Sequence, residues 1–433
     1  MNNINRADLN VTKLIEKSLE KRNQKERYFR IYGISSLVIA VVFLLTFFAS
    51  IISTGYQAFI KTDIELEVFL DSEVIYPNGT KTEEDLFFAD YDSLIFTSLK
   101  EHLPELKNRK ERRQARLILS SGASYKIQNE IIKDKSLVGQ TVSFILPLDD
   151  EVDMYLKGYV DTESSENSRK ITDFQIALVE NLIEKNLIHR NFNTTLFVSG
   201  DSREPELAGI LGALVGSFMM LTITFIISFP LAVSAAIYLE EFAKKNIWTD
   251  FLEVNINNLA AVPSIIYGLL GLAIFINFFG FPRSAPIVGG LVLSLMTFPV
   301  VIIASRAALK SVPPSIRDAA LGLGASKIQT TLHHVVPLAL PGMLTGSIVG
   351  MARALGESAP LIMIGMVAFV VDIPTSITEP SAALPVQVFL WSDAPERGFA
   401  EKTSAAIMVL LVFLLLMNSL AIWLRNKFKL NGN

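Results

Sequence analysis

The sequence predicts a mainly α-helical membrane protein in which six transmembrane helices carry an α+β domain inserted between the first two. Three observations predict this fold: the composition, the number of long apolar runs, and one long polar segment. Half of the 433 residues are hydrophobic, 19% are charged, and the mean hydropathy is +0.40. Soluble globular domains carry a larger charged fraction, about 25%. The composition therefore excludes an ordinary soluble protein and indicates one that lies in a lipid bilayer.

Six apolar runs are each long enough to cross about 30 Å of hydrocarbon. They cover residues 31–52, 207–238, 259–279, 286–309, 338–371 and 404–424. The first run is too long for a removable signal peptide and lacks the small-residue cleavage site of one. We therefore expect a retained membrane anchor followed by five further spans.

Basic residues fix the expected orientation of these spans, because loops rich in lysine and arginine stay in the cytoplasm. A cluster of them precedes the first apolar run, with Lys13, Lys17, Lys21, Arg22, Lys25, Arg27 and Arg30. With six spans, the basic residues at 244–245, at 306–327 and in the C-terminal tail fall on the same side. We expect both termini in the cytoplasm and membrane lipid, not nucleic acid, beside the basic N-terminus.

The polar segment between the first two spans is long enough to be a domain of its own. The sequence then divides into a basic cytoplasmic N-terminus (1–30), a first transmembrane helix (31–54), an extracytoplasmic inserted domain (55–206), a five-helix core (207–426) with a cytoplasmic loop at 310–337, and a cytoplasmic tail (427–433). Alternating apolar residues at 64–70 and the run at 141–148 predict strands, and helical spacing predicts a helix at 171–188. We expect an α+β inserted domain.

The sequence gives no sign of several kinds of chemistry. The chain has no cysteine, and its histidines lack the spacing of a zinc site. These histidines are His102, His189, His333 and His334. We interpret the last two as solvated loop residues and the acidic run at 149–151 as a solvated turn. No GxxxxGK[ST] phosphate loop occurs, so we expect neither an ATPase site nor a cofactor or metal in this chain.

A polar segment at 315–341, between the fourth and fifth spans, is the most informative part of the chain. It contains the motif Asp318, Ala319, Ala320, then Gly324, then an apolar stretch ending in Leu-Pro. One interpretation is an amphipathic connector with a turn at 322–324. The pattern resembles the "EAA" loop of the membrane subunits of ABC importers, with Asp318 where that family more often has glutamate. The resemblance implies a short cytoplasmic coupling helix that sits in a groove of an ATPase subunit.

Other segments extend this resemblance. PLAVSAAIYLEEF (230–242) and AAVPSIIYGLLGLAIF (260–275) resemble core helices of importer permeases, whereas ARALGESAPLI (352–362) and LPVQVF (384–389) resemble the PstA family of phosphate importer permeases. The resemblance implies a subunit of the bacterial plasma membrane that imports inorganic phosphate together with a second, PstC-like permease. Two PstB-like ATPase subunits would bind the ATP, and a PstS-like phosphate-binding protein would deliver phosphate from outside.

Two charged residues, Arg353 and Glu357, stand inside the predicted fifth span. Gly342, Gly346 and Gly350 precede them at four-residue spacing, which allows close approach of a neighbouring helix. In a continuous helix, 100° per residue places the charged pair on this glycine face, and the i, i+4 spacing lets the side chains touch. A charge that faces lipid at mid-membrane costs on the order of 3 kcal/mol or more. Both side chains should therefore point into the assembly.

This charged pair has two interpretations. It is either a mutual salt bridge that only fixes helix packing, or Arg353 binds the transported anion, since a guanidinium matches phosphate oxygens. In the second interpretation Glu357 neutralises Arg353 when no substrate is present, and the family resemblance implies this role. Pro360 interrupts the same helix, as expected where the backbone faces a cavity. Arg306 is a weaker candidate, because snorkelling to the interface explains it equally well.

Two further functions are compatible with the sequence. One is a permease for another oxyanion such as sulfate or molybdate, because one arginine does not distinguish tetrahedral anions. The other is a membrane receptor in which residues 55–206 sense a ligand. A receptor needs no helix for docking an ATPase, so the motif at 318–324 favours a transporter.

Overall fold

The computed structural model describes residues 4–77, 79, 82–104, 106–367 and 369–428. The chain has two units, one ending at Ser53 and the other beginning at Thr54. The helix α1 (Ile4–Gly55) forms the first unit and ends in the second. The apolar side chains of Leu37, Ile39 and Phe43 on α1 are between 66% and 75% exposed. From Ile31 onward α1 carries no charged residue, and a helix that is apolar on all sides suits a lipid environment.

The polar segment has the α+β character that its sequence predicts. Its strands β1 (Ile60–Phe69), β2 (Thr141–Pro147) and β3 (Ile188–Phe192) form, within the described residues, an antiparallel sheet of order β2-β1-β3. The helices of this segment are α2 (Ser72–Ile75), α3 (Glu83–Phe88), α4 (Tyr91–His102), α5 (Arg109–Arg116), α6 (Gly122–Lys133), α7 (Asp150–Leu156), α8 (Asp173–Glu184) and α9 (Thr195–Val198). The predicted strands at 64–70 and 141–148 are confirmed by β1 and β2. The helix predicted at 171–188 is too long, because α8 ends at Glu184 and Ile188 already belongs to β3. The sequence IHRNF of β3 has too little apolar alternation to be recognised.

The remaining part of the second unit is helical. Its helices are α10 (Leu211–Ile237), α11 (Ile247–Ala260), α12 (Ser264–Gly271), α13 (Pro286–Lys310), α14 (Pro314–Gly322), α15 (Lys327–Thr330), α16 (Val336–Leu355), α17 (Ala359–Met363), α18 (Leu384–Ser392) and α19 (Gly398–Phe428). π-Helical turns follow α10 at Tyr238–Phe242 and α12 at Leu272–Phe278, and one at Thr331–Val335 joins α15 to α16. The histidines at 333 and 334 are exposed, as expected, but they lie in this last turn and not in a loop.

Five helices in the described ranges are long and apolar enough to cross a membrane, and a bent helix pair makes six if it counts as one span. The five are Lys21–Phe59, Leu211–Phe242, Pro286–Lys310, Lys327–Leu355 and Gly398–Lys427. The predicted fifth span, 338–371, is too long, because α16 ends at Leu355. Pro360 cannot continue a helix from the preceding turn and instead lies in the first turn of α17.

The predicted third span, 259–279, is bent. Helix α11 and the helix Ser264–Phe278 meet at 101°. Pro263 lies at the break, with φ −55° and ψ 136°. Proline lacks an N–H and disfavours helical geometry in the residue before it, so it interrupts the helix here. The Tyr267 hydroxyl donates to the Leu259 carbonyl oxygen at 2.7 Å, which links the two arms across the bend.

Helices α13 and α16 pack closely along the predicted glycine face. A Cβ atom on Gly342, Gly346 or Gly350 would lie 2.7, 2.1 and 2.8 Å, respectively, from side-chain carbons of Ala308, Ala304 and Thr297. Such distances are too short for two carbon atoms in contact, so the glycines are what lets the two backbones approach. The expected close approach of a neighbouring helix is confirmed.

Candidate functional site

Arg353 and Glu357 lie where α16 gives way to α17. Arg353 is in the last turn of α16, and Gly356 caps that helix. The Arg353 Nε atom lies 3.6 Å from Glu357 Oε1, and 46% of the arginine side chain and 22% of the glutamate side chain stay exposed. The two side chains therefore form the expected ion pair, but a loose one that leaves the guanidinium accessible.

The position of the pair along the helix differs from the prediction. Because α16 ends at Leu355, the helical projection that placed Glu357 on the glycine face does not apply to it. Arg353 lies about 25 Å along the helix axis from Val336, so its charge is near one end of the span and not midway. A cation at a helix C-terminus is favoured by the helix dipole, typically by about 0.3–1 kcal/mol. The end of α16 is thus a better place for this charge than the middle of a span.

Short, interrupted helices lie beside the pair. Helix α12 packs against α17, since a Cβ atom on Gly268 would lie 2.7 Å from the Pro360 carbonyl oxygen. Transporters commonly form substrate sites from discontinuous helices, because the free backbone groups at helix ends can then face the substrate. The surroundings of Arg353 have this character.

The motif Asp318, Ala319 and Ala320 lies in the second half of α14. Asp318 and Ala319 are exposed, whereas Ala320 is 6% exposed and packs inward. Leu323, one residue beyond the helix, is 91% exposed. The helix therefore presents one free face that ends in an apolar side chain.

Gly324 ends this helix in a Schellman motif. Its φ is +91°, a conformation that favours glycine. The N–H groups of Gly324 and Ala325 donate to the carbonyl oxygens of Leu321 and Ala320 at 2.9 and 3.1 Å. A Cβ atom on Gly324 would meet nothing within 4 Å in this chain, so the backbone conformation, not space, requires glycine here.

Ion pairs cluster at the end of the helical core that carries α14. This loop-side cluster consists of Glu240, Glu241, Glu253, Arg306, Lys310 and Arg317. Arg306 donates to Glu253 at 2.6 Å and to Glu240 at 3.4 Å. Its side chain is 15% exposed, so ion pairing within the chain, rather than snorkelling, accounts for its position.

A second ionic network joins the polar segment to α19, and we name it the α7–α19 junction. The Lys157 Nζ atom lies 2.7 Å from Asp153 and 2.5 Å from Glu401. The Gly398 N–H donates to Asp150 Oδ2 at 3.3 Å, and the buried Lys402 donates to the Ala208 carbonyl oxygen at 2.6 Å. The interpretation of residues 149–151 as a solvated turn is therefore wrong for Asp150, which is 8% exposed.

Burial shifts the titration of several groups at this junction. It raises the pKa values of Asp149 and Asp150 to about 6 and that of Glu206 to about 7. Burial alone would lower the pKa of Lys157, but Asp153 and Glu401 outweigh it and raise that pKa above its ordinary value. The carboxyl groups of Asp149, Asp150 and Glu206 therefore gain or lose a proton near neutral pH.

A cavity of about 700 Å³ lies next to the junction. Charges of both signs line it, among them Asp149, Glu204, Glu206, Arg116, Lys170 and Arg203. With carboxylates and cations side by side, its lining does not select an anion. No group of three or more His, Cys, Asp or Glu side chains in the described part of the chain could hold a metal ion.

Known proteins resemble both parts of the chain. Residues 228–429 match the family described as "Binding-protein-dependent transport system inner membrane component", and residues 16–166 match a domain of unknown function (DUF3333). The phosphate transport system permease protein PstA of Yersinia pestis is 31% identical over 218 residues, which cover 49% of this chain and 71% of that protein. These matches define a transport subunit of the inner membrane, and the chain belongs to the family of binding-protein-dependent transport system inner membrane components.

Further relatives carry similar names. The probable ABC transporter permease protein YqgI of Bacillus subtilis is 37% identical over 155 residues, 36% of this chain and 52% of YqgI. PstA 1 of Mycobacterium tuberculosis (strain ATCC 25618 / H37Rv) is 31% identical over 206 residues, 47% of this chain and 66% of PstA 1. The chain thus spans less than two thirds of either protein. A chain of the inward-facing MetNI methionine ABC transporter superposes with a TM-score of 0.41 and 15% identity, covering 51% of this chain and 97% of that one.

Sequence reasoning did not identify the loop-side cluster or the α7–α19 junction. Glu240 and Glu241 belong to the segment YLEEF, where two adjacent acidic residues end an apolar helix. Two acidic residues at the end of an apolar helix could therefore have indicated the loop-side cluster from the sequence. The junction gave none, because Lys157 and Glu401 are 244 residues apart in sequence.

Proposed function

We propose that this chain is a permease subunit of an ATP-driven importer of inorganic phosphate in the bacterial plasma membrane. The observation that carries the proposal is the half-exposed side chain of Arg353, held at a break between helices in a chain whose relatives include phosphate transport permeases. A guanidinium offers planar N–H donors that match phosphate oxygens. Arg353 and Glu357 are thus the proposed substrate-pathway residues.

Glu357 would act as an internal substitute for the anion. At 3.6 Å, its contact with Arg353 is an ion pair without a close hydrogen bond. An incoming phosphate that forms charge-assisted hydrogen bonds with Arg353 would replace a weaker contact by stronger ones. The arginine would therefore stay neutralised between transport events while remaining available to phosphate.

The proposed partners follow from surfaces that this chain leaves open. The accessible side of Arg353 suits a pathway completed by a second, PstC-like permease. The exposed face at Asp318 and Ala319, ended by Gly324, suits docking of one of two PstB-like ATPase subunits, which would bind the ATP. A PstS-like phosphate-binding protein would deliver the substrate on the outer side. This chain itself would bind membrane lipid but no cofactor.

The cargo is tested with the purified complex of this chain and its PstB-, PstC- and PstS-like partners. We expect phosphate together with the binding protein to stimulate ATP hydrolysis several-fold, and sulfate or molybdate to have no effect. Stimulation by sulfate or molybdate alone would keep the transport mechanism and change the cargo. A wild-type complex that no oxyanion stimulates, or an ATPase subunit that does not co-purify, would contradict the proposed function.

The proposed topology places residues 55–206 outside the cytoplasm and both termini inside. Because the chain has no cysteine, Ser165→Cys and Lys245→Cys each introduce one thiol at an exposed position. We expect an impermeant maleimide to label position 165 in intact cells and position 245 only after permeabilisation. The reverse pattern would contradict this topology.

A further inference from the structure

Arg317 joins three helices at the base of the coupling loop. From α14, its guanidinium donates to Glu241 Oε1 at 2.6 Å and 3.2 Å and to Glu241 Oε2 at 3.3 Å. It also donates to the carbonyl oxygens of Leu309 at 3.0 Å and Val312 at 2.8 Å, at and just beyond the end of α13. One side chain thereby links α14, the end of α13 and the π-helical turn that ends α10.

The other arm of the loop contacts the same π-helical turn. The Lys327 Nζ atom, at the start of α15, lies 5.4 Å from the ring centroid of Phe242, within the range of a cation–π interaction. Glu241 and Phe242 are adjacent residues of the turn Tyr238–Phe242. Both arms of the hairpin formed by α14 and α15 are therefore attached to the end of α10, with which they share no direct chain connection.

Burial distinguishes the Arg317–Glu241 contact from ordinary surface ion pairs. The side chain of Arg317 is 22% exposed and that of Glu241 is 9% exposed. Arginine is suited to this position because its planar fork can serve a carboxylate and two carbonyl groups at once, whereas lysine is a compact point charge. Removing Arg317 would leave Glu241 with its charge largely buried. Lys310, by comparison, is 60% exposed and 3.7 Å from Glu240.

We propose that Arg317 is a positioning residue that transmits movement of the coupling helix α14 to α10 through Glu241. This inference rests on the proposed function, because the movement would come from an ATPase subunit that holds the exposed face of α14. Without the Arg317–Glu241 ion pair, α14 would still be connected to α13 and α16 through the chain. Helix α10, however, would lose its ionic contact with the helix that the ATPase subunit moves. The expected defect is a loss of coupling with assembly preserved.

The first test measures coupling in the complete purified complex. We expect Arg317→Gln to retain co-purification of the ATPase and basal ATP hydrolysis, while phosphate-dependent stimulation falls about tenfold. Glu241→Gln should have the same effect, and the double variant should be no worse than either single one, since all three remove one contact. Arg317→Lys should be intermediate, and Lys310→Gln should stay within twofold of wild type. Normal stimulation in Arg317→Gln would overturn the proposal.

The second test does not depend on the cargo or on assembly. Nitroxide labels at Leu323→Cys, beyond α14, and Phe218→Cys, on α10, report the distance between the two helices by double electron–electron resonance. Both positions are exposed, at 91% and 58%. We expect a broader distance distribution in Arg317→Gln than in the otherwise wild-type chain. An unchanged distance distribution would overturn the positioning role. If the distribution broadens but phosphate does not stimulate ATP hydrolysis by the wild-type complex, the positioning role stands and only the proposed cargo is contradicted.

Discussion

Arg353→Gln is expected to lower phosphate uptake by about 10- to 100-fold, because a hydrogen bond to a charged group contributes about 1.5–3 kcal/mol. Arg353→Lys keeps the positive charge but loses the planar fork, so it should impair uptake less. The measurement is uptake of radiolabelled phosphate in cells that express matched amounts of the complex. Co-purification of the partner subunits shows for each variant that the complex has assembled.

A double variant separates the two interpretations of the Arg353–Glu357 pair. If the pair only fixed helix packing, Arg353→Gln combined with Glu357→Gln should restore uptake, since no unpaired charge would remain. If Arg353 contacts phosphate, the double variant should assemble and still fail to transport. Recovery of uptake in an assembled double variant would contradict phosphate binding by Arg353 and would show that both side chains only fix helix packing.

Lys157→Met is expected to destabilise the α7–α19 junction by about 3–5 kcal/mol, the usual cost of removing one partner from a buried ion pair. The Lys157 side chain is 3% exposed, and its removal leaves Asp153 and Glu401 buried without their cation. Trp391 offers a local reporter, because its ring lies 5.7 Å from that of Phe399 in the first turn of α19. The measurement is the midpoint of thermal unfolding by tryptophan fluorescence in a Trp248→Phe, Trp423→Phe background.

Two controls show whether the loss comes from charge. Adding Asp153→Asn and Glu401→Gln to Lys157→Met should recover most of the stability, because the buried negative charges then disappear as well. Lys170→Met removes a 60% exposed lysine that lies 3.5 Å from Glu151, and it should cost no more than about 1 kcal/mol. A triple variant as unstable as Lys157→Met would indicate lost packing instead.

The length of the apolar runs and the spacing of apolar residues predicted much of the fold, because both are properties of residues that are close together in sequence. The runs at 31–52, 286–309 and 404–424 lie within long apolar helices, and the run at 207–238 begins four residues before one. The alternation at 64–70 matched β1, where Ile64 and Leu66 are buried. What failed were continuations across breaks: the helix assumed to run through Glu357 ends at Leu355, and the third span bends at Pro263. In both places a nearby proline was the available signal.

The candidate site was only partly accessible from the sequence, for a related reason. The Arg353–Glu357 contact and the motif at 318–324 are local, so their spacing was informative. Arg317 lies directly before that motif, but its partner Glu241 is 76 residues away. Which acidic residue meets it depends on how α10 and α14 pack, and that packing is a property of the whole fold.

The close contact between Asp150 and Gly398 has a consequence for protein engineering. A Cβ atom on Gly398 would lie 1.9 Å from Asp150 Oδ1, so the polar segment and the first turn of α19 fit each other atom by atom. A chimera that exchanges only residues 56–207 between two permeases would place the polar segment of one protein against the first turn of α19 of the other. The unit to graft is therefore discontinuous, and it includes residues 398–402 together with the polar segment.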